Sequence, residues 1–313
     1  MITTQIFYAI KPIIPRRLQI LLRRKRILRK RALYKDIWPI DESANKPPQG
    51  WAGWPNQKKF ALVLTHDVES AQGHDKCMPL MRLEAQMGFR SSFNFVPERY
   101  HVSSELRDHI TSNGFEVGVH GLKHDGKLYD SVEIFRERAS RINRYLKEWQ
   151  AIGFRSPSMH HNLDWIHNLK IKYDSSTFDT DHFEPQSDGV NTIFPFWVAR
   201  NGTKNGYVEL PYTLAQDHAL LIIMKEQNID IWKKKLDWIA ENGGMALLNT
   251  HPDYMNFAGE KLGLEEFPVQ YYTDLLRYVK TKYEGQHWNA LPKEVAQFYS
   301  RIKEKDFLRT TSH

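Results

Sequence analysis

His120 and His124 stand four residues apart in the run Glu116-Val-Gly-Val-His-Gly-Leu-Lys-His124. Two imidazoles at that spacing can offer two nitrogen donors to one borderline-soft divalent ion. In a chain with 14 histidines such a pair is expected about 0.6 times by chance, so the spacing alone does not establish a metal site. The company it keeps is more informative. Thr65-His66-Asp67-Val68-Glu69, Arg155-Ser156-Pro157, Asp174 and Thr250-His251-Pro252-Asp253 also follow short apolar runs directly. Imidazoles and carboxylates gathered in this way could ligate a metal and carry protons at both ends of a hydrolysis, one group activating water and another protonating the leaving atom. Taken singly each has an ordinary reading: Asp67 as a loop-capping carboxylate, His251 as a turn histidine, Arg155 as half of a surface ion pair.

The elements that must position these residues are legible in the apolar pattern. Runs at 60–65, 91–96, 115–119, 152–154, 171–173, 207–210 and 245–249 have strand length and composition. Segments 79–87, 131–149, 229–241 and 269–283 have the length and 3.6-residue spacing of helices. Strands alternating with helices predict parallel strands and crossover connections, hence an α/β barrel or a doubly wound sheet. In both architectures chemistry collects at the carboxyl ends of the strands, where the five polar clusters fall.

The order of the clusters resembles the polysaccharide deacetylases of the NodB-homology type, carbohydrate esterase family 4. Leu64-Thr-His-Asp-Val-Glu69 is similar to that family's Thr-Phe-Asp-Asp motif, and His120-Gly-Leu-Lys-His124 to its His-Ser/Thr-x-x-His motif. Phe154-Arg-Ser-Pro157, Tyr173-Asp-Ser-Ser176 and Leu247-Leu-Asn-Thr-His251 resemble the third, fourth and fifth motifs. The likeness spans residues 58–283 and implies a distorted (β/α)7 barrel that removes an N- or O-acetyl group from a sugar of a polysaccharide or glycan precursor. It implies a divalent metal, zinc by preference, on His120 and His124. Asp67 would then be the base that takes a proton from water, His251 the acid that protonates the leaving amine, Arg155 the residue that orients Asp67, and Asp174 the one that tunes His251. The backbone N–H near Ser158 would complete an oxyanion site.

One position departs from the pattern: the family's second, metal-binding Asp falls on Val68, and the next carboxylate is Glu69. In an extended chain Asp67 and Glu69 point to the same side, so Glu69 could be the third metal ligand; alternatively Asp67 ligates, or the site is metal-poor as in the family's allantoinase-like relatives. His66, His160 and His161 are further candidates near the same rim. Two other functions stay open, an amidohydrolase of small amides resembling allantoinases and a degenerate domain that binds glycan without turnover.

Charge divides the chain. The first 35 residues hold 11 Lys and Arg and no acid, and the remainder has 33 bases against 37 acids, so the net charge of +7 belongs to the arm. A body of slightly negative charge disfavours nucleic acid as partner. The arm interleaves Leu18, Leu21, Leu22, Leu28 and Leu33 with its bases near helical spacing, which fits peripheral contact of residues 11–35 with an anionic membrane, or equally a basic arm that is solvated or docked on the domain. Lys11 and Pro12 interrupt the apolar segment 2–14 before a signal-peptide core can form, so the expected location is cytoplasmic, with the arm at the inner membrane surface. Pro47, Pro48, Gly50 and Gly53 mark a connector, dividing the chain into an arm and connector at 1–57 and a catalytic domain at 58–313. The single cysteine, Cys77, excludes an intramolecular disulfide.

Overall fold

The computed structural model describes residues 14–310 except 185, 187, 201, 202 and 260. Most of the apolar segment 2–14 and Lys11 of the arm therefore lie outside the described residues. The strands in chain order are β1 (Phe60–Val68), β2 (Ser91–Phe95), β3 (Glu116–His120), β4 (Gly153–Arg155), β5 (Tyr173–Asp174), β6 (Phe196–Ala199), β7 (Gly206–Glu209), β8 (Met245–Thr250), β9 (Met255–Asn256), β10 (Phe267–Pro268) and β11 (His287–Asn289). The helices are α1 (Arg16–Leu33), α2 (Ala71–Met87), α3 (Ser104–Ser112), α4 (Val132–Glu148), α5 (Leu163–Ile166), α6 (Asp230–Glu241), α7 (Gln270–Lys282) and α8 (Pro292–Thr310).

β1 is buried along all nine residues and is the axis of the sheet. β8 pairs parallel with one of its edges, while β2 and β11 share the other. The parallel ladder continues from β2 through β3, β4 and β5 to β7, and β6 joins β7 antiparallel. Past β7, the N–H groups of Thr213 and Leu214 donate to the Leu247 carbonyl of β8 at 3.0 and 3.1 Å. That contact curls the sheet into a distorted barrel of seven strands, the architecture anticipated from the order of the clusters.

Period-two alternation then sorts the chain into two cores. Phe60, Leu62, Leu64, Phe93, Phe95, Val117 and Val119 face the helices, while Ala61, Val63, Tyr173, Val208, Leu210, Met245 and Leu247 fill the barrel. The floor is closed by α8, whose Val295, Ala296 and Tyr299 belong to the inner core.

Several boundaries differ from expectation. α2 begins at Ala71, not at Pro79: Ser70 accepts a hydrogen bond from the Gly73 N–H, and this cap starts the helix two turns earlier, leaving Pro79 inside it. α3 and α8, absent from the sequence reading, are shorter or less strongly patterned than the other crossovers. The connector packs into the body, with Trp38, Ala44 and Trp54 buried and the Trp54 indole donating to the Gly243 carbonyl at 2.8 Å.

Glu116 lies at the floor, where its carboxyl accepts from the Tyr173 hydroxyl at 2.8 Å and from the Lys293 N–H at 3.1 Å. Burial nevertheless pushes it up to about 7. An acid raised in the folded state binds its proton more tightly there than in the unfolded chain, so stability falls as pH rises from its ordinary value to about 7. Glu116→Gln removes that titration. Urea unfolding at acidic pH should show similar stability for both proteins, and at pH 8 the variant should be more stable by up to about 3 kcal/mol. A stability difference independent of pH would contradict this account.

Candidate active site

Arg155, at the end of β4, points into the barrel mouth and has no solvent exposure. Its Nε donates to the Ser175 carbonyl at 2.8 Å and its Nη2 to the Ser175 hydroxyl at 2.7 Å. Nη1 reaches the Thr65 hydroxyl at 2.8 Å, Asn249 Oδ1 at 2.7 Å and Asp67 Oδ1 at 3.3 Å. Asp67 also accepts from the Asn94 amide at 3.0 Å and the Asn249 amide at 2.8 Å. The Asn94 side chain lies against β3 where Gly118 has no Cβ; one there would overlap the amide oxygen. Burial raises the Asp67 carboxyl, but His120, Arg155, His251 and the Asn94 bond outweigh it and leave it lowered to about 2. Asp67 is an oriented, ionised carboxylate.

His120 ends β3. Its Nδ1 donates to the Arg155 carbonyl at 3.1 Å, which assigns the lone pair to Nε2, a buried atom without a hydrogen-bond partner. Burial, the largest influence, lowers its pKa to about 4, so the ring is neutral at ordinary pH as a metal ligand must be. The chain turns at Gly121 with φ +62° and brings His124, itself at φ +52°, back toward the mouth. The two rings are 5.2 Å apart. His124 Nε2 stands 2.9 Å from Glu69 Oε1, also without hydrogen-bond alignment, and donor atoms of Glu69, His120 and His124 all fall within 4.8 Å of one another. Two imidazole nitrogens and one carboxylate converging on a common point fit a divalent ion. Asp67 approaches the group through Oδ2, 3.9 Å from His120 Nε2, but is committed to Arg155, Asn94 and Asn249. Glu69 owes its position to Asp253, which accepts from the Glu69 N–H at 3.0 Å and from the Ser70 hydroxyl.

His251 follows β8, the strand paired with β1, and so stands beside Asp67 and Glu69, with Nε2 3.8 Å from Glu69 Oε1. Here one assignment requires correction. Asp174 does not tune His251: the ring Nδ1 pairs with Asp217 at 2.7 Å, and Asp217 also accepts the His251 N–H at 2.7 Å. Burial lowers the imidazole, but Asp217, Glu69 and Asp67 together raise it to about 10, so His251 carries a proton. Asp174 is on the outer face of its strand. The inward neighbour is Ser175, bound to Arg155, while Asp174 bonds the Ser176 hydroxyl at 2.6 Å and shares a buried environment with Glu209, burial raising both carboxyls.

The remaining candidates fall outside the donor group. His66 faces the helices, bonded to Thr250 at 2.7 Å and Glu84 at 2.9 Å. His161 contacts the Met159 carbonyl, and His160 lines a small depression with His124 and Pro157. Ser158, the expected oxyanion position, has φ 56° in the short turn Pro157–Met159 after Arg155. Asp217 was missed because it lies beyond the strand ends, at the start of the π-helical turn His218–Ile223 that it caps.

No protein-family model matches the chain, and no curated protein matches it. Solved structures do. A protein assigned as a polysaccharide deacetylase from Mycobacterium smegmatis is 18% identical, with a TM-score of 0.62 over 82% of this chain and 96% of the other. A similarly assigned protein from Pseudomonas aeruginosa PAO1 is 16% identical, with a TM-score of 0.59 over 84% and 98%. The PuuE allantoinase is 15% identical, with a TM-score of 0.57 over 83% and 96%. At these identities the likeness establishes a shared fold.

The geometry separates the two carboxylates by metal content. Purified protein should contain close to one divalent ion, and His120→Ala with His124→Ala should abolish it. Glu69→Gln should weaken Zn²⁺ affinity by roughly 10–100-fold, whereas Asp67→Asn should retain the ion. Metal analysis of the variants after equal dialysis decides the matter: loss from Asp67→Asn and retention by Glu69→Gln would reverse the assignment.

Proposed function

We propose that the protein is a metal-dependent hydrolase that removes an N- or O-acetyl group from a glycan. The observation that carries this reading is the acid–base pair at the barrel mouth: an ionised Asp67 near the end of β1 and a protonated His251 just past the adjacent β8, beside the Glu69, His120 and His124 donors. The fold shared with proteins assigned as polysaccharide deacetylases supports an acetylated sugar as substrate. A Zn²⁺ ion held by those three residues would polarise the acyl oxygen and acidify water.

The chain's own residues account for the proton transfers. Asp67, fixed by Arg155, Asn94 and Asn249, accepts a proton from the attacking water. His251 donates its proton to the departing nitrogen or oxygen as the acyl bond breaks, giving acetate and the free amine or hydroxyl. Asp217 holds the ring through Nδ1, so that Nε2 carries the transferable proton. The Ser158 backbone N–H, in the turn beside His124, is a candidate donor to the oxyanion.

Acetate release from N-acetylated and O-acetylated oligosaccharides, with and without Zn²⁺, tests the reading directly. Release from neither series, with hydrolysis of a small cyclic amide instead, would redirect it to an allantoinase-like activity. Asp67→Asn should lower kcat by roughly 10²–10⁴. Asp217→Asn should slow an N-acetyl substrate by roughly 10–10³-fold and an activated aryl acetate far less, because an aryl alcohol departs without a donated proton. Asp174→Asn should stay within about threefold on both substrates. Equal losses for Asp174→Asn and Asp217→Asn would remove the special role of Asp217.

A further inference from the structure

α1 is seated on the barrel by one face only. Ile20 and Ile27 are its buried residues, and α1 lies against the π-helical turn His218–Ile223. Arg16 pairs with Glu265, Arg31 with Glu226, and Lys30 donates to the His182 carbonyl at 2.9 Å. At 100° per residue the opposite face presents Leu18, Leu21, Leu22 and Leu33, with Leu28 at its margin. These five side chains are between 41% and 79% exposed.

The apolar exposure is not scattered. Among the described residues every exposed large hydrophobic belongs to α1, to Ile37 just after it, or to Leu262 and Leu264, which just precede Glu265, the loop residue pairing with Arg16. Lys25 and Arg29 stand between the leucines, Arg17 is exposed beside Leu28 at the margin, and none of the three forms an ion pair among the described residues. The helix contains no acid.

Leucines and bases on one face, rigidly held, call for a partner that is apolar just below an anionic layer. A second copy would bring like charges together, and a nucleic-acid backbone would leave the leucines in water. No helix among the described residues is long and apolar enough to cross a membrane, so a helix of this kind lies in the interface plane. The position is also specific. Glu265 lies 3.8 Å from His218, whose ring is 5.1 Å from that of Tyr254, and the Tyr254 hydroxyl contacts Glu69 at 3.4 Å. The amino end of α1 is thus at the rim of the candidate site.

We propose that the outer face of α1, together with Leu262 and Leu264, docks on an anionic lipid bilayer and holds the mouth of the barrel at the membrane surface. Flotation of the full chain with phosphatidylcholine vesicles containing phosphatidylglycerol tests it, read against pure phosphatidylcholine and against high salt. Wild type should float with the anionic vesicles at low salt, and salt should release it. Leu18→Ser with Leu21→Ser and Leu22→Ser should weaken binding more than about tenfold. Arg17→Gln with Lys25→Gln and Arg29→Gln should weaken it by roughly 10–100-fold. All six positions are solvent-exposed, so circular dichroism and thermal midpoint should match wild type and show that the fold is intact. Absence of flotation by wild type, or flotation of the leucine variant equal to wild type, overturns the proposal. A lipid-free dimer that the leucine variant abolishes, without recruitment to vesicles, would reassign the face to a second copy and overturn it equally.

Discussion

A guanidinium removed from water must have its charge compensated and its N–H groups accepted, and Arg155 meets that demand by joining four strands. Its side chain binds Thr65 and Asp67 of β1, Asn249 of β8 and Ser175 immediately after β5. Its carbonyl accepts from Gly121 and from the His120 ring beside it on β3. The Asp67 carboxylate, the His120 ring and the closure of the barrel therefore meet at a single residue. A buried pair of this kind contributes little net stability over an apolar core of equal volume, but loss of one partner leaves an uncompensated charge. Its effect is to make the positions of Asp67 and His120 depend on each other.

Around that centre the barrel holds neighbouring titratable groups in different charge states. Burial alone would neutralise Asp67, His120 and His251 alike. The difference lies in what each faces: Asp67 has Arg155 and two amide donors, His251 has Asp217 with Glu69 and Asp67 nearby, and His120 has a carbonyl. The outcome is an ionised acid, a charged imidazole and a neutral imidazole within one mouth. Small residues make this packing feasible, as where Gly118 admits the Asn94 amide.

Much of this was legible in the sequence, because strand-end clusters and alternating elements are local patterns. The barrel, the core strands and the convergence of His120 and His124 follow from them. Glu69 was reachable through period-two alternation from Asp67. The same alternation excludes Asp174, but only once Ser175 is known to be the inward residue of a strand two residues long, where periodicity has no run to read. Asp217 carries no local signal, since it reaches His251 from a π-helical turn 34 residues earlier in the chain. The seat of α1 was likewise hidden: periodicity shows an amphipathic helix with bases intruding, and only the tertiary contacts reveal that Ile20 and Ile27 are the docked side and the leucines the free one.

The solid floor of the barrel has a consequence for traffic. Tyr173, Val208 and Leu247 with Val295, Ala296 and Tyr299 of α8 form a buried apolar cluster beneath the polar layer. With the floor filled, the way to Asp67 is the doorway at the mouth. In the proposed reaction, acetate freed at the bottom of that doorway would sit behind the glycan, and topology would order their exit as much as chemistry orders their formation. A vessel of this shape working by that reaction would retain its smaller product, and the width of its rim would govern how quickly it empties.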